Sequence, residues 1–206
     1  MNVLERLATS GALAIVRAAD QATGQRIADA IVSAGLTCIE VTMTNPGALA
    51  IIESLASRSE VCVGVGTVVT TADVSRAKSA GALFVVSPNT DIDVIAATKA
   101  AGLVSCPGVA TATEVGMALK AGADVLKLFP ASSYGPAHLK ALRDPYPGNV
   151  WCPTGGVSVE SVPTWFDAGA SFVGLGGPLI KGGAENIGAN VHAFMHAIVR
   201  AREVKS

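Results

Sequence analysis

Short β-branched runs alternate along this chain with longer stretches in which apolar positions return every three or four residues. The runs are Leu13 to Arg17, Cys38 to Thr42, Val61 to Val68, Leu83 to Pro88, Leu103 to Pro107, Val125 to Pro130, Val150 to Thr154 and Phe172 to Gly176. Between them, stretches such as Ala22 to Ala34, Ala72 to Ala80, Asp91 to Ala101 and Thr113 to Ala121 are rich in Ala, Leu, Lys and Glu at helical spacing. Strand followed by helix, repeated, predicts parallel strands. The helix ends are marked too: Ala34-Gly35, Ala80-Gly81, Ala101-Gly102, Ala121-Gly122 and Ala168-Gly169 each put glycine where a left-handed C-terminal cap is needed.

Eight strand–helix units either close into a barrel or open into a doubly wound sheet, and the number eight favours closure. No strand run is followed by the Gly-x-Gly-x-x-Gly turn of a dinucleotide site, which argues against the open sheet. Asn2 to Ala8 reads as a short extra helix before the first strand. The predicted fold is therefore an α/β protein, a (β/α)8 TIM barrel with a short N-terminal helix, formed as one domain over residues 1–206. No linker, charge block or low-complexity segment divides it.

Composition narrows the function. With 206 residues, half of them hydrophobic, the chain can bury one large core, although it is short for a barrel that typically runs to about 250. Fifteen basic against sixteen acidic residues, with no run of either sign, predict neither a nucleic-acid nor an anionic-membrane partner, and favour a small-molecule substrate. The apolar runs are too short to span a bilayer, and Glu5, Arg6 and Arg17 interrupt the one candidate leader, so a cytoplasmic location is expected. Cys38, Cys62, Cys106 and Cys152 have no Cys-x-x-Cys spacing and read as buried small hydrophobes. His138 falls in the helix after the sixth strand, and His192 and His196 stand four apart on the last helix without the Glu or third ligand of a zinc site. Neither a metal nor a cofactor is expected.

In a barrel of this kind the active site sits at the carboxyl ends of the strands, so polar residues closing the runs are the candidates. In Val-Leu-Lys-Leu-Phe-Pro, strand alternation puts Val125, Lys127 and Phe129 on one face and Leu126 and Leu128 on the other. An ammonium taken out of water costs several kcal/mol, so such a lysine must pair, reach the mouth or give up its proton. A lysine desolvated among Val, Phe and Pro can fall from its ordinary pKa of about 10.4 towards neutrality, leaving an amine that attacks a ketone. Alternation likewise gives Cys38, Glu40 and Thr42 one face. One amine and one carboxylate in an apolar barrel are the minimal apparatus for imine chemistry, with the carboxylate shuttling protons. A purely structural ion pair is the alternative. Pro-Thr-Gly-Gly after the seventh strand and Gly-Leu-Gly-Gly-Pro after the eighth lie where this fold commonly holds phosphate on backbone N–H groups.

Taken in order, Ala14-Ile15-Val16-Arg17, Ile39-Glu40-Val41-Thr42, Gly64-Val65-Gly66-Thr67-Val68, Ser87-Pro88-Asn89, Cys106-Pro107-Gly108-Val109-Ala110-Thr111, Leu126-Lys127-Leu128-Phe129-Pro130-Ala131 and Pro153-Thr154-Gly155-Gly156-Val157 resemble one family over nearly the whole chain. It is the class I aldolases acting on 2-keto-3-deoxy-6-phosphogluconate, 2-keto-4-hydroxyglutarate and 2-keto-3-deoxy-6-phosphogalactonate. The resemblance implies that Lys127 forms an imine with C2 of a keto acid, that Glu40 is the general acid/base with Arg17 beside it, and that the products are pyruvate and glyceraldehyde 3-phosphate. It implies further that Gly66, Thr67 and Pro88 receive the pyruvate carboxylate, that Thr154, Gly155, Gly156, Gly176 and Gly177 hold phosphate, and that the chain is a homotrimer. The stretches Cys106 to Glu114 and Phe129 to Pro136 resemble the phosphogalactonate enzymes more than the phosphogluconate ones. Thr44 stands where many phosphogluconate enzymes have arginine, and Gly177 where relatives often have serine. Two rival readings remain: a barrel synthase or isomerase whose lysine stays non-covalent, and a sugar-phosphate sensor without turnover.

Overall fold

The computed structural model describes residues 1–203; residues 204–206 of the span assigned to the domain lie outside the described residues. The chain runs α1 (Val3–Ser10), β1 (Ala12–Val16), α2 (Gln21–Ser33), β2 (Cys38–Thr42), α3 (Ala48–Ala56), β3 (Cys62–Gly66), α4 (Thr71–Ser79), β4 (Phe84–Val86), α5 (Ile92–Ala100), β5 (Val104–Cys106), β6 (Gly108–Val109), α6 (Ala112–Lys120), β7 (Val125–Leu128), α7 (Ala131–Arg143), β8 (Val150–Trp151), α8 (Val162–Asp167), β9 (Val173–Leu175) and α9 (Ile187–Glu203). Helix starts follow from side chains that satisfy orphan N–H groups. Asp20, Thr70, Asp91 and Thr111 each accept from the first turn of the helix they precede. Asn2, expected inside the first helix, is its N-cap, in a capping box with Glu5. All five Ala-Gly glycines have positive φ, between 72° and 97°, as a left-handed cap requires.

All strand pairs are parallel, in the orders β5-β4-β3-β2-β1-β9 and β6-β7-β8. The eight expected runs curl into a barrel whose regular ladders break at two seams. Pro107, with no N–H to give, closes the fifth run and separates β5, which pairs with β4, from β6, which lies beyond the expected run and pairs with β7. Bonds from Lys127 N–H to the Pro107 carbonyl and from Asp124 N–H to the Ser105 carbonyl, both 3.0 Å, cross that seam. At the other, Thr154 bridges Gly174, and Gly174 N–H reaches the Pro153 carbonyl at 2.9 Å.

Alternate strand residues divide between two apolar layers. Ile39, Val41, Val63, Val65, Leu126 and Leu128 pack outward under the helices, while Leu13, Cys38, Cys62, Phe84, Cys106, Val125, Cys152 and Phe172 fill the interior. Large side chains buried this fully contribute about 1.5–3 kcal/mol each. Leu7 of α1 joins the interior cluster, so the N-terminal helix plugs the lower end of the barrel. Glycine on β3 makes room inside, since any Cβ at Gly64 would strike the Phe84 ring. With the bottom closed, the carboxyl ends of the strands are left to form a site.

Candidate active site

Both candidate charges lie in the interior. Lys127 on β7 is 6 % exposed and Glu40 on β2 is 2 % exposed, each sharing its strand face with the interior cysteines and Val125. Lys127 Nζ stands 4.8 Å from the centroid of the Phe129 ring, the contact that their shared strand face leads one to expect. Burial pushes the Glu40 carboxyl above its ordinary pKa, and the cations of Lys127 and Arg17 oppose that rise without cancelling it. Among the described residues the two form no ion pair within 4.0 Å, and Glu40 Oε2 is buried with no hydrogen-bond partner. A structural ion pair satisfies its members. Here a carboxylate oxygen is kept dry and unpaired beside an amine, an arrangement that costs stability and suits proton transfer.

Gly66, at the end of β3, lies directly under that carboxyl: a Cβ there would overlap Glu40 Oε1. Thr67 follows with φ 57°, the one non-glycine residue at positive φ among the described residues. For a β-branched side chain this is strained backbone, which persists where its surroundings impose it and clusters at ligand sites. Pro88 follows the neighbouring strand β4, to which β3 stays tied past its end by Val68 N–H bonding the Val86 carbonyl at 3.2 Å. Its own carbonyl presses on Gly108 of β6, where no side chain would fit.

Above this interior opens a cleft of about 210 Å³ lined by Arg17, Phe129, Thr154, Gly155, Gly156, Gly176 and Gly177, with Ile15, Val157, Gly174, Pro178 and Ile180. Five predicted phosphate residues and Arg17 thus share one cavity. Lys127 and Glu40 do not line it; Phe129 does, and it connects the cleft to the lysine behind it. Thr154 is 4 % exposed, its carbonyl accepting from Ala131 N–H and the Gly155 carbonyl from Ser132 N–H, both at 2.8 Å. These bonds dock the loop on the start of α7. Gly155 and Gly156 have φ 92° and 82°, and a Cβ on Gly156 would come within 2.6 Å of Ser132 Cβ. Gly177 differs, because a Cβ there would meet nothing within 4 Å.

The apolar walls Ile15, Val157, Pro178 and Ile180 were not singled out beforehand, since nothing local marks residues that meet only when three strand ends converge. Asn45 was missed as well. It is buried, 4 % exposed, in the β2–α3 loop, and the Thr-Asn-Pro turn it belongs to was the available signal. His138 bonds the Ala110 carbonyl at 2.7 Å through Nε2 and stacks on Tyr134, while His192 and His196 are exposed on α9. All four cysteines are reduced and buried. Among the described residues no group of three or more His, Cys, Asp or Glu could hold a metal ion, and no helix is long and apolar enough to cross a membrane.

Comparison with known proteins identifies a family. A family model described as KDPG and KHG aldolase matches residues 3–192. The chain is 34 % identical over 180 residues to the 2-dehydro-3-deoxy-6-phosphogalactonate aldolase of Escherichia coli, covering 82 % of this chain and 87 % of that one. It superposes on a structure described as native KDPGal with a TM-score of 0.88 at 32 % identity, covering 93 % of this chain and 96 % of the other. It is similar also, at TM-score 0.82 and 25 % identity over 98 % of each chain, to the Legionella pneumophila KDPG aldolase with pyruvate captured as a covalent carbinolamine.

Proposed function

The chain belongs to the KDPG and KHG aldolase family and is a class I aldolase, a carbon–carbon lyase, and from that premise we propose that it cleaves 2-dehydro-3-deoxy-6-phosphogalactonate to pyruvate and D-glyceraldehyde 3-phosphate. The observation that carries this reading is the pair inside the barrel: an almost fully buried lysine and a buried carboxylate whose Oε2 has no partner. Similarity to phosphogalactonate enzymes over more than four fifths of the chain supports the choice of substrate.

In the proposed reaction the Lys127 amine adds to C2 of the keto acid. Glu40 delivers a proton to the resulting hydroxyl, water leaves, and an iminium remains. The Glu40 carboxylate then takes the proton of the C4 hydroxyl as the C3–C4 bond breaks. The electron pair of that bond moves into the iminium, giving an enamine, and glyceraldehyde 3-phosphate departs. Protonation at C3 and hydrolysis by water release pyruvate and the amine. The raised pKa of Glu40 serves both directions of proton transfer, since a group this buried parts less readily with its proton than an ordinary carboxylate. Arg17 tempers that rise. Gly66, Thr67 and Pro88 receive the C1 carboxylate at the interior rim. Thr154, Gly155, Gly156, Gly176 and Gly177 receive the phosphate in the cleft, where Arg17 is the one cation among the lining residues.

A second reading, the 2-dehydro-3-deoxy-6-phosphogluconate or 4-hydroxy-2-oxoglutarate aldolase, is favoured by the similarity to the Legionella enzyme. Comparing kcat/KM on the two C4-epimeric phosphorylated acids decides between them: the galactonate epimer is expected to be preferred, and a preference for the gluconate epimer reverses the assignment. We also infer a homotrimer that acts on a small-molecule substrate in the cytoplasm. Ile92 and Met117, large apolar side chains exposed side by side on α5 and α6, are surface that assembly would cover. Light scattering that returns a monomer would refute the trimer.

A further inference from the structure

Beyond β1 the chain leaves the sheet, yet its next residues remain bonded as though a strand still lay beside them. The β1–β2 ladder pairs Ala14 with Ile39, Ile15 with Glu40 and Val16 with Val41. One step further the partner of Arg17 is a side chain. Asn45 Oδ1 accepts from Ala18 N–H at 2.8 Å, and Asn45 Nδ2 donates to the Val16 carbonyl at 3.0 Å. In a parallel ladder one residue donates to the carbonyl before its partner and accepts from the N–H after it. The Asn45 amide makes that same pair of bonds around Arg17.

The amide is itself held in place. It is 4 % exposed, Thr42 Oγ1 donates to Oδ1 at 3.4 Å, and Asn45 N–H donates to the Thr42 carbonyl at 2.9 Å, which closes the turn that begins α3. Only Asn or Gln carries a donor and an acceptor in the fork that this requires, and Gln is one methylene too long for a turn so tight.

We propose that Asn45 is a positioning residue for the aldol reaction, its side-chain amide standing in for a strand residue opposite Arg17 and holding that arginine at the mouth beside Glu40. The proposal rests on the reading of Glu40 as the acid/base. Arg17 is exposed, with a long stem of many rotamers, so its placement depends on where its backbone is pinned. Glu40 is faced by Lys127 from β7, Cys106 from β5, Arg17 from just past β1 and Cys152 from just past β8. Burial holds both thiols well above their ordinary pKa, Cys152 at about 12, so they stay uncharged while Glu40 titrates. Arg17 lowers the pKa of Glu40, hence freeing Arg17 moves it up.

The test combines a structural and a kinetic readout. In the wild type the Ala18 amide proton is protected from exchange, and in Asn45→Ala it exchanges rapidly while the core strands stay protected. Turnover in that variant falls between about 10-fold and 100-fold, the scale of a misplaced catalytic group. The acid limb of its kcat/KM profile moves to higher pH, as it does in Arg17→Ala, and the double variant is no worse than Arg17→Ala alone. Asn45→Asp, which keeps the acceptor for Ala18 and loses the donor to Val16, falls between wild type and Asn45→Ala. It also serves if the alanine variant does not fold. An Ala18 amide unaffected by the substitution, an unmoved acid limb, a fully active Arg17→Ala, or losses that multiply in the double variant would each overturn the proposal. Failure of the imine reading is seen separately, as a wild-type Lys127 that does not trap pyruvate, and leaves the Ala18 exchange result unaffected.

Discussion

Gly66→Ala tests the geometry of the acid/base group without touching a charge. Gly66 does not have positive φ, so alanine is compatible with its backbone. The whole conflict is with one side chain, because the new Cβ would occupy the place of Glu40 Oε1 and crowd Cδ and Cγ. The carboxyl must therefore swing away, by a distance on the order of 1 Å. Such a displacement costs about 100-fold in rate, or ~2.7 kcal/mol of transition-state stabilisation. Overpacking the interior should cost a further 1–3 kcal/mol of stability, roughly, since the atoms that must yield are the far end of a flexible side chain. The assay is pyruvate release from the phosphorylated acid, coupled to a dehydrogenase, with thermal unfolding measured alongside. The variant should stay folded, lose about 100-fold in kcat, and lose nothing more when Glu40→Gln is added. A variant turning over at the wild-type rate would show that Glu40 does not act from its place over Gly66. A loss that multiplies with that of Glu40→Gln would show that Gly66 matters for another reason.

Glu40→Gln alone should keep the fold and lose about 100-fold or more in kcat, measured on the same substrate. Because the folded-state pKa of Glu40 is raised, the native protein holds that proton more tightly than the unfolded chain, and this contribution to stability declines as pH rises from the ordinary carboxylate value, near 4.5, through the folded-state value. The Tm of Glu40→Gln relative to wild type should therefore climb over that window, and a flat difference would contradict the raised pKa. Gly156→Ala, strained at φ 82° and blocked by Ser132, should raise KM for the phosphorylated acid roughly tenfold with little change for an unphosphorylated analogue; equal effects on both would remove Gly156 from phosphate binding. Thr67→Gly should relieve about 1–3 kcal/mol of backbone strain, less about 1 kcal/mol for glycine's entropy, so Tm holds or rises while KM for the keto acid increases. A clear drop in Tm would show that Thr67 is not strained.

Lys127 and Glu40 were legible because strand alternation is a local rule: residues two apart share a face, and both neighbours of each candidate were apolar. The barrel followed from the count of runs, and the left-handed caps from Ala-Gly. Less visible was anything set by the closing of the sheet. The run Leu103 to Pro107 read as one strand ending at the proline, whereas the strand resumes beyond it as Gly108–Val109 to pair with β7. The resemblance gave Gly66 a carboxylate-binding role, but not that the Glu40 side chain from the adjacent strand fills the space a Cβ there would take, a relation fixed by the pairing of Thr42 with Gly66 and Glu40 with Gly64. The absence of an ion pair between two buried opposite charges was out of reach too, because it depends on side-chain placement within an ångström. Asn45 shows the same limit, since an Asn-Pro pair announces a turn and does not say what the amide will hold.

The proposed reaction depends on covalent chemistry at one amine, that of Lys127. Incubating the protein with pyruvate and then borohydride, followed by peptide mass spectrometry, should find one reduced pyruvyl group per chain, on Lys127, and none in Lys127→Ala. A folded wild-type protein that releases pyruvate from its substrate but emerges unlabelled, or is labelled at another lysine, would contradict it.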